Sequence, residues 1–366
     1  MLSKKKILPA LLLLLCLSLS VFSAAAESPP QAFTFSISRD PDFGSAVMDT
    51  SIDDFNALGF ACGDSIDISF RNGTTLKDVP YYNGYYVKTG DPLICAYPGY
   101  SNVIIGYNNG DSLWDAIGCK EGDTVTLAVA QPGKYIDIQN SLNLVYSNDR
   151  ADYPDDITFA NFRFISGGRI RPGVLYRGAS PVDNTDNRAE VVDRLLKEHG
   201  IRYVIDLADT AQRLEEHAQA SNSEYFMALF HDGRVAALGL NAAYRSDHFR
   251  KTLVSGLQGL FEHEGPYYVH CLEGKDRTGF VCLLLEALCG ASRDELVSDY
   301  MKTYENYYGV LRDSVKYTSI MEIKFDDMYD WLAALGAGPE EGARIYLTES
   351  GMTGQEIDAL VDLLTK

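Results

Sequence analysis

Basic residues are scarce in this chain. Its 32 lysines and arginines stand against 51 aspartates and glutamates, a formal net charge of −19. That balance argues against a nucleic-acid partner, because a phosphate backbone is held by a basic footprint. It also disfavours adsorption on anionic lipid. A phosphorylated ligand would need a local positive site inside a negative overall field. Metal-ligand spacings are missing as well. The six histidines are scattered, with no His-x3-His or Cys-x2-Cys run, so no metal centre is expected. No glycine-rich loop for a nucleotide appears, and no cofactor is expected. Seven cysteines in 366 residues do not make a disulfide framework. Cys282 and Cys289 are separated by about 10 Å of helical rise and read as small buried hydrophobes. Two of Cys62, Cys95 and Cys119 are open to pairing. Beyond the N-terminal stretch, no apolar run is long enough to span a bilayer.

What is present begins with Lys4, Lys5 and Lys6, the apolar stretch Ile7 to Phe22, and Ala24-Ala25-Ala26. This is the order of a signal peptide cut before Glu27, with an uncleaved anchor as the alternative. Cys16 follows Leu15 where a lipoprotein site would carry a small residue. The expected location is secreted or associated with the cell envelope. Residues 30–146 then read as an all-β domain, barrel or sandwich. Phe33 to Ile37, Ser65 to Phe70, Val103 to Tyr107 and Val125 to Val129 alternate or are β-branched. Asn72-Gly73, Asn83-Gly84, Asn109-Gly110 and Pro132-Gly133 punctuate them. The polar stretch 147–157 reads as a linker, and 158–366 as a second domain. There, helical patterns at Asn187–His199, Leu238–Glu264, Thr278–Leu288, Ser292–Tyr307 and Gly354–Leu364 alternate with strand-like runs at Tyr203–Leu207, Tyr225–Leu229 and Tyr267–His270. That alternation predicts an α/β layer with a mainly parallel sheet flanked by helices.

The segment Tyr267 to Phe280, YYVHCLEGKDRTGF, carries the chemistry. An apolar strand ends at His270, Cys271 follows, and Arg277-Thr278-Gly279 opens an apolar helix. Backbone N–H groups from Leu272 to Arg277 can curl into an anion nest, to which the helix N-terminus adds donors and positive potential. Gly274 permits the tight turn. Arg277 offers a planar fork for two phosphate oxygens. The same positive environment favours the thiolate that Cys271 needs as nucleophile. Thr278 can donate its hydroxyl to that sulfur, and His270 reads as a hydrogen-bonding support for the loop. Lys275 is either a phosphate-selecting side chain or a solvated loop lysine.

These residues resemble the signature loop of cysteine-dependent phosphatases, His-Cys-x5-Arg-Thr-Gly. The run Gly274 to Gly279 is similar to the bacterial tyrosine and dual-specificity branch, which also acts on phosphoinositides. Asn161-Phe162-Arg163, Ile170 to Ala179, Val204-Ile205-Asp206-Leu207, Tyr346-Leu347, Gly351-Met352-Thr353 and Glu356-Ile357 carry further likeness, from Thr158 to Lys366. The resemblance implies a protein-tyrosine-phosphatase-like fold and hydrolysis through a phosphocysteine. The substrate would be a phosphorylated protein or phosphoinositide, bound by Leu272, Glu273, Gly274, Lys275, Asp276 and Thr278; Arg177 either joins them at the phosphate or pairs with an acidic side chain. Two departures stand out: Glu273 where alanine is common, and Ala208 where arginine often follows Asp206-Leu207. A general acid is also implied. Asp232, after the run Tyr225 to Leu229, is the first candidate, with Asp276, Asp209 and Asp247 behind it. In the N-terminal region Met48 to Ser51, Phe55-Asn56, Tyr107 to Ser112 and Gly122 to Val125 weakly resemble the β-barrel domain of adenosyl-hydroxide transferases, which favours a barrel and implies no activity. Competing readings are an inositol-polyphosphate phosphatase, a sulfur transferase using the same anion loop, and a surface protein whose β domain binds an unknown ligand.

Overall fold

Alternating burial builds the first unit. In the strand Thr124–Gln131, Val125 and Leu127 are buried while Thr124 and Thr126 are not, the period of a sheet with one face in a core. The computed structural model describes residues 31–366, so the expected signal peptide lies outside the described residues. Seven strands, β1 (Ala32–Arg39), β2 (Ala46–Ser51), β3 (Ser65–Phe70), β4 (Thr75–Tyr82), β5 (Pro92–Cys95), β6 (Asn102–Tyr107) and β7 (Thr124–Gln131), close in the order β1-β2-β6-β5-β4-β3-β7. All neighbours run antiparallel except β4 and β5. The barrel, not a sandwich, results because β7 pairs with both β3 and β1. Short helices α1 (Ile52–Ala57) and α2 (Leu113–Ile117) add Phe55, Leu113 and Trp114 to its core, with Phe55 stacked on Phe60 at 4.1 Å. Cys62, Cys95 and Cys119 are all free thiols, so the pairing left open by the sequence is not made.

The second unit is a five-stranded sheet of order β11-β10-β12-β9-β8, built from β8 (Arg163–Phe164), β9 (Leu175–Gly178), β10 (Tyr203–Asp206), β11 (Val235–Ala237) and β12 (Tyr267–His270). Only β8 is antiparallel. Every residue of β9, β10 and β12 is buried, as parallel strands covered on both faces must be. On one face lie α5 (Ala189–Glu198) and α7 (Glu224–His231), after α4 (Asp156–Phe159) and beside α6 (Ala211–Ala218). On the other lie α8 (Asp247–Glu262), α9 (Asp276–Leu288), α10 (Arg293–Tyr308), α11 (Val315–Ile320), a π-helical turn Met321–Phe325, α12 (Asp326–Ala333), α13 (Pro339–Glu349) and α14 (Gly354–Thr365). From Thr278 onward α9 is buried all round, which marks it as the central core helix. Cys282 sits in it and Cys289 caps its end, both buried hydrophobes.

The predicted strand Tyr225–Leu229 is instead helical, within α7. Phe226 and Leu229 are buried at helical spacing, and Asp193 accepts from the N–H groups of Tyr225 (3.2 Å) and Phe226 (2.7 Å) at the helix start. The adjacent strand is the three-residue β11, too short for its pattern to be read. The predicted helix from Leu238 begins only at Asp247, where Ser246 caps it; Leu238 to Ser246 form a loop. Helices α11 and α12 carry no pattern read from the sequence, and α13 only the likeness at Tyr346-Leu347.

The two units are knit together. Helix α3 (Ile136–Leu142) follows the barrel strands but buries Leu142 in the larger core of the second unit and packs on α11. Thr89 donates its hydroxyl to Asp327 (2.7 Å), and Lys324 donates to the carbonyl of Tyr85 (2.6 Å). The stretch read as a linker is gripped by Arg188. Its guanidinium lies over Tyr146, Phe159 and Tyr307 and donates to the carbonyls of Ser147 and Phe159.

Candidate active site

In the parallel sheet, Gly178, His270, Asp206 and Ala237 are level with one another at the carboxyl ends of β9, β12, β10 and β11. Cys271 leaves the central strand at this edge, 3% exposed. Three consecutive carbonyls of the following loop are pulled outward. Leu272 accepts from the Ser180 N–H (2.8 Å), Glu273 from the Asn161 side-chain amide (3.1 Å), and Gly274 from Arg177 (2.7 Å). A peptide plane whose C=O is held outward turns its N–H inward. These clamps therefore pre-form the nest read from the sequence. Gly274 is required twice over: its φ is +69°, and a Cβ there would stand 2.2 Å from the Gly178 carbonyl.

Arg177, read as a substrate contact or as the partner of an acid, is fully buried beneath the loop and paired with Asp299 on α10. Asp299 also accepts from Arg163 at 2.8 Å. Burial pushes the Asp299 carboxyl up, but Arg163 and Arg177 more than offset it and hold the group below its ordinary range. Arg177 is thus a positioning residue. Arg277 is half-buried and donates one N–H to the Leu240 carbonyl (2.9 Å), which leaves its other donors for a second acceptor. The Thr278 hydroxyl is buried beside the loop and has no hydrogen-bond partner among the described residues. Leu272 is half-buried at the loop's start.

His270 donates from Nδ1 to the Cys271 carbonyl (3.2 Å), while Nε2 faces Asp206 Oδ2 at 3.7 Å; both side chains are fully buried. Burial raises the Asp206 carboxyl to about 6 and lowers His270 to about 4. At neutral pH the imidazole is uncharged and supports the loop. The folded state holds the Asp206 proton up to about pH 6, whereas an unfolded aspartate releases it near 3.8. Asp206 therefore contributes stability at low pH that is lost as pH rises through that interval. Asp206→Asn should be more favourable to stability at pH 7 than at pH 4.5, relative to wild type. Urea denaturation at the two pH values measures this, and an equal difference at both would refute the assignment.

The carboxylates expected as acid do not all reach this edge. Asp232 ends α7 and precedes β11, at the opposite end of the sheet from Cys271. It is 63% exposed and 3.7 Å from Arg234. The misreading follows from treating α7 as a strand, which placed its end at the wrong edge. Asp247 is exposed in the first turn of α8 beside Lys251. Asp209 follows β10 at the right edge, but it is buried and engaged by Arg213 and His217, both at 3.3 Å. Burial, then Asp206, raises its carboxyl. Asp276 is the first residue of α9 and is exposed beside Cys271's loop. Lys275 donates to Tyr308 on α10 (2.7 Å) and pairs with Glu273 (2.8 Å); Tyr308 also donates to Glu273. Ser180, Asn161, Asp299 and Tyr308 were given no role by the sequence, although Asn161 lay in a segment that carried the resemblance. Among the described residues no three His, Cys, Asp or Glu side chains converge as a metal set.

The profile of the tyrosine phosphatase family matches residues 159–366. A Cupriavidus necator protein named as a tyrosine-protein phosphatase is 24% identical over 155 residues, covering 37% of this chain and 55% of that protein. The chain thus spans about half the length of that curated relative. Among solved structures, the core catalytic domain of the PP-IP phosphatase SIW14 from S. cerevisiae, in complex with citrate, aligns at 17% identity and a TM-score of 0.26, covering 47% of this chain and 94% of that one. An uncharacterised conserved protein from Thermotoga maritima aligns at 20% identity and a TM-score of 0.24, covering 26% and 35%.

Proposed function

Because the chain belongs to the tyrosine phosphatase family, we propose that it hydrolyses phosphomonoesters through a phosphocysteine on Cys271. The observation that carries this reading is the set of outward-clamped carbonyls around a buried cysteine at the mouth of α9. The inward N–H groups and Arg277 would hold the three non-bridging oxygens and place phosphorus in line with the sulfur. The sulfur attacks, the ester oxygen leaves with a proton from an acid, and water then releases phosphate from the sulfur. Asp276 is the acid in this proposal because it alone of the four candidates combines exposure with a place on the loop. The substrates proposed are phosphotyrosine, phosphoserine or phosphothreonine proteins and phosphoinositides, met outside the cytoplasm if the N-terminal lysine, apolar and alanine pattern directs export.

The purified protein, under reductant, should release phosphate from at least one of a phosphotyrosine peptide, a phosphoserine peptide, a phosphoinositide and phytate. Iodoacetate should abolish that activity, and inorganic phosphate should protect against it. No release from any of the four would overturn the proposal. Asp276→Asn should slow hydrolysis of a phosphoserine peptide by about 100-fold, with little change for p-nitrophenyl phosphate, whose leaving group needs no proton. An equal effect on both substrates would show that Asp276 is not the acid.

A further inference from the structure

Lys275 stands at the rim of the nest, where an ammonium would be expected to greet a second anionic group on the substrate. Two of its three donors are already engaged. Glu273 lies 2.8 Å from the nitrogen, Tyr308 accepts at 2.7 Å, and Asp276 is 3.9 Å away. Tyr308 in turn donates to Glu273, closing a triangle between the loop and α10. The other charged or polar groups facing Lys275 include Tyr300 and Tyr304 on α10, Tyr86 from the barrel, Tyr146, and Lys324 of the π-helical turn. Lys324 is itself committed to the Tyr85 carbonyl at 2.6 Å and has Asp276 and then Asp327 as the carboxylates acting on it. The Glu273 and Lys275 side chains are only 20% and 18% exposed, so solvent and salt screen this pair less than a surface pair.

Resting on the phosphatase reading, we propose that Glu273 is a specificity residue. Held by Tyr308, it neutralises Lys275 and so selects substrates whose scissile phosphate has no second phosphate beside it. The nest accepts one phosphoryl group. Outside it, Glu273 is paired with Lys275 and Lys324 is committed to the Tyr85 carbonyl, so among the described residues the rim holds no unpaired ammonium for a second anion. A vicinal phosphate, as on an inositol polyphosphate, must displace Glu273 from Lys275 or sit against the Glu273 carboxylate. A phosphorylated side chain in a protein brings no such group and meets no such cost. Selection here works by an added repulsive element, not by a new attraction. Alanine at the position of Glu273 would leave Lys275 free to receive the second anion.

The test uses Cys271→Ser protein, so that binding is measured without turnover, with inorganic phosphate and pyrophosphate as probes by calorimetry. The ratio of the two dissociation constants is the readout. Adding Glu273→Ala should shift the ratio toward pyrophosphate by about tenfold, and Lys275→Met on top should remove the gain. Tyr308→Phe, which keeps the ring and loses the hydroxyl, should give part of it and serves if Glu273→Ala fails to fold. A ratio unchanged within about twofold, or a gain that survives Lys275→Met, overturns the proposal. Phosphate bound with an unchanged ratio refutes Glu273 alone, whereas no binding of either probe to folded protein refutes the phosphate loop and this inference with it.

Discussion

Cys271→Ser should lower phosphate release by at least about ten thousand-fold while the protein still binds phosphate. A serine hydroxyl is a weak nucleophile unless a neighbouring base takes its proton, and this site holds no base for that task. The only imidazole adjacent in the chain, His270, has Nδ1 committed to the Cys271 carbonyl and Nε2 turned to Asp206. The nest and Arg277 are untouched by the substitution, so affinity for inorganic phosphate should stay within a few-fold of wild type. Single-turnover release from the preferred substrate, with calorimetric phosphate binding alongside, measures both quantities. Residual turnover above about one per cent would mean that the sulfur is not the nucleophile.

Arg177→Met should be the most damaging change away from the sulfur. It removes the donor that holds the Gly274 carbonyl outward and one of the two guanidinium groups that satisfy Asp299. Breaking a buried pair by deleting one partner costs about 3–5 kcal/mol, because the remaining charge is stranded. In a domain of this size that is a fall in Tm of about 10 °C. Phosphate affinity should fall as well at temperatures where the variant is folded, since a freed peptide plane lets the nest relax. A melting temperature within about 2 °C of wild type would show that Arg163 alone can hold Asp299.

The loop was legible because its chemistry is written in adjacent residues: a strand, a cysteine, a turn and an arginine at a helix start fall within a single short segment. What holds the loop was not. Asn161, Arg177, Asp299 and Tyr308 meet it from β9, α10 and the segment before β8, with chain separations of 35 to 112 residues from their loop partners where these are hydrogen-bonded. No local pattern announces such meetings. The barrel's strands were readable from alternation, but closure depends on β1 meeting β7, which alternation does not encode. The acid was misplaced for a similar reason. An apolar run flanked by turns suits a buried helix as well as a strand, and only the docking of α7 on Asp193 decides it.

The grip of Arg188 on residues 147–159 has a practical consequence for anyone cutting the molecule in two. A tether that hangs free is where proteases nick and where domains are separated with little loss. Here limited proteolysis should find its first cuts elsewhere. A truncation starting at residue 158 would strip Tyr146 and Tyr153 from around a buried guanidinium and withdraw Leu142 from the larger core. The catalytic half is therefore better expressed with its barrel attached.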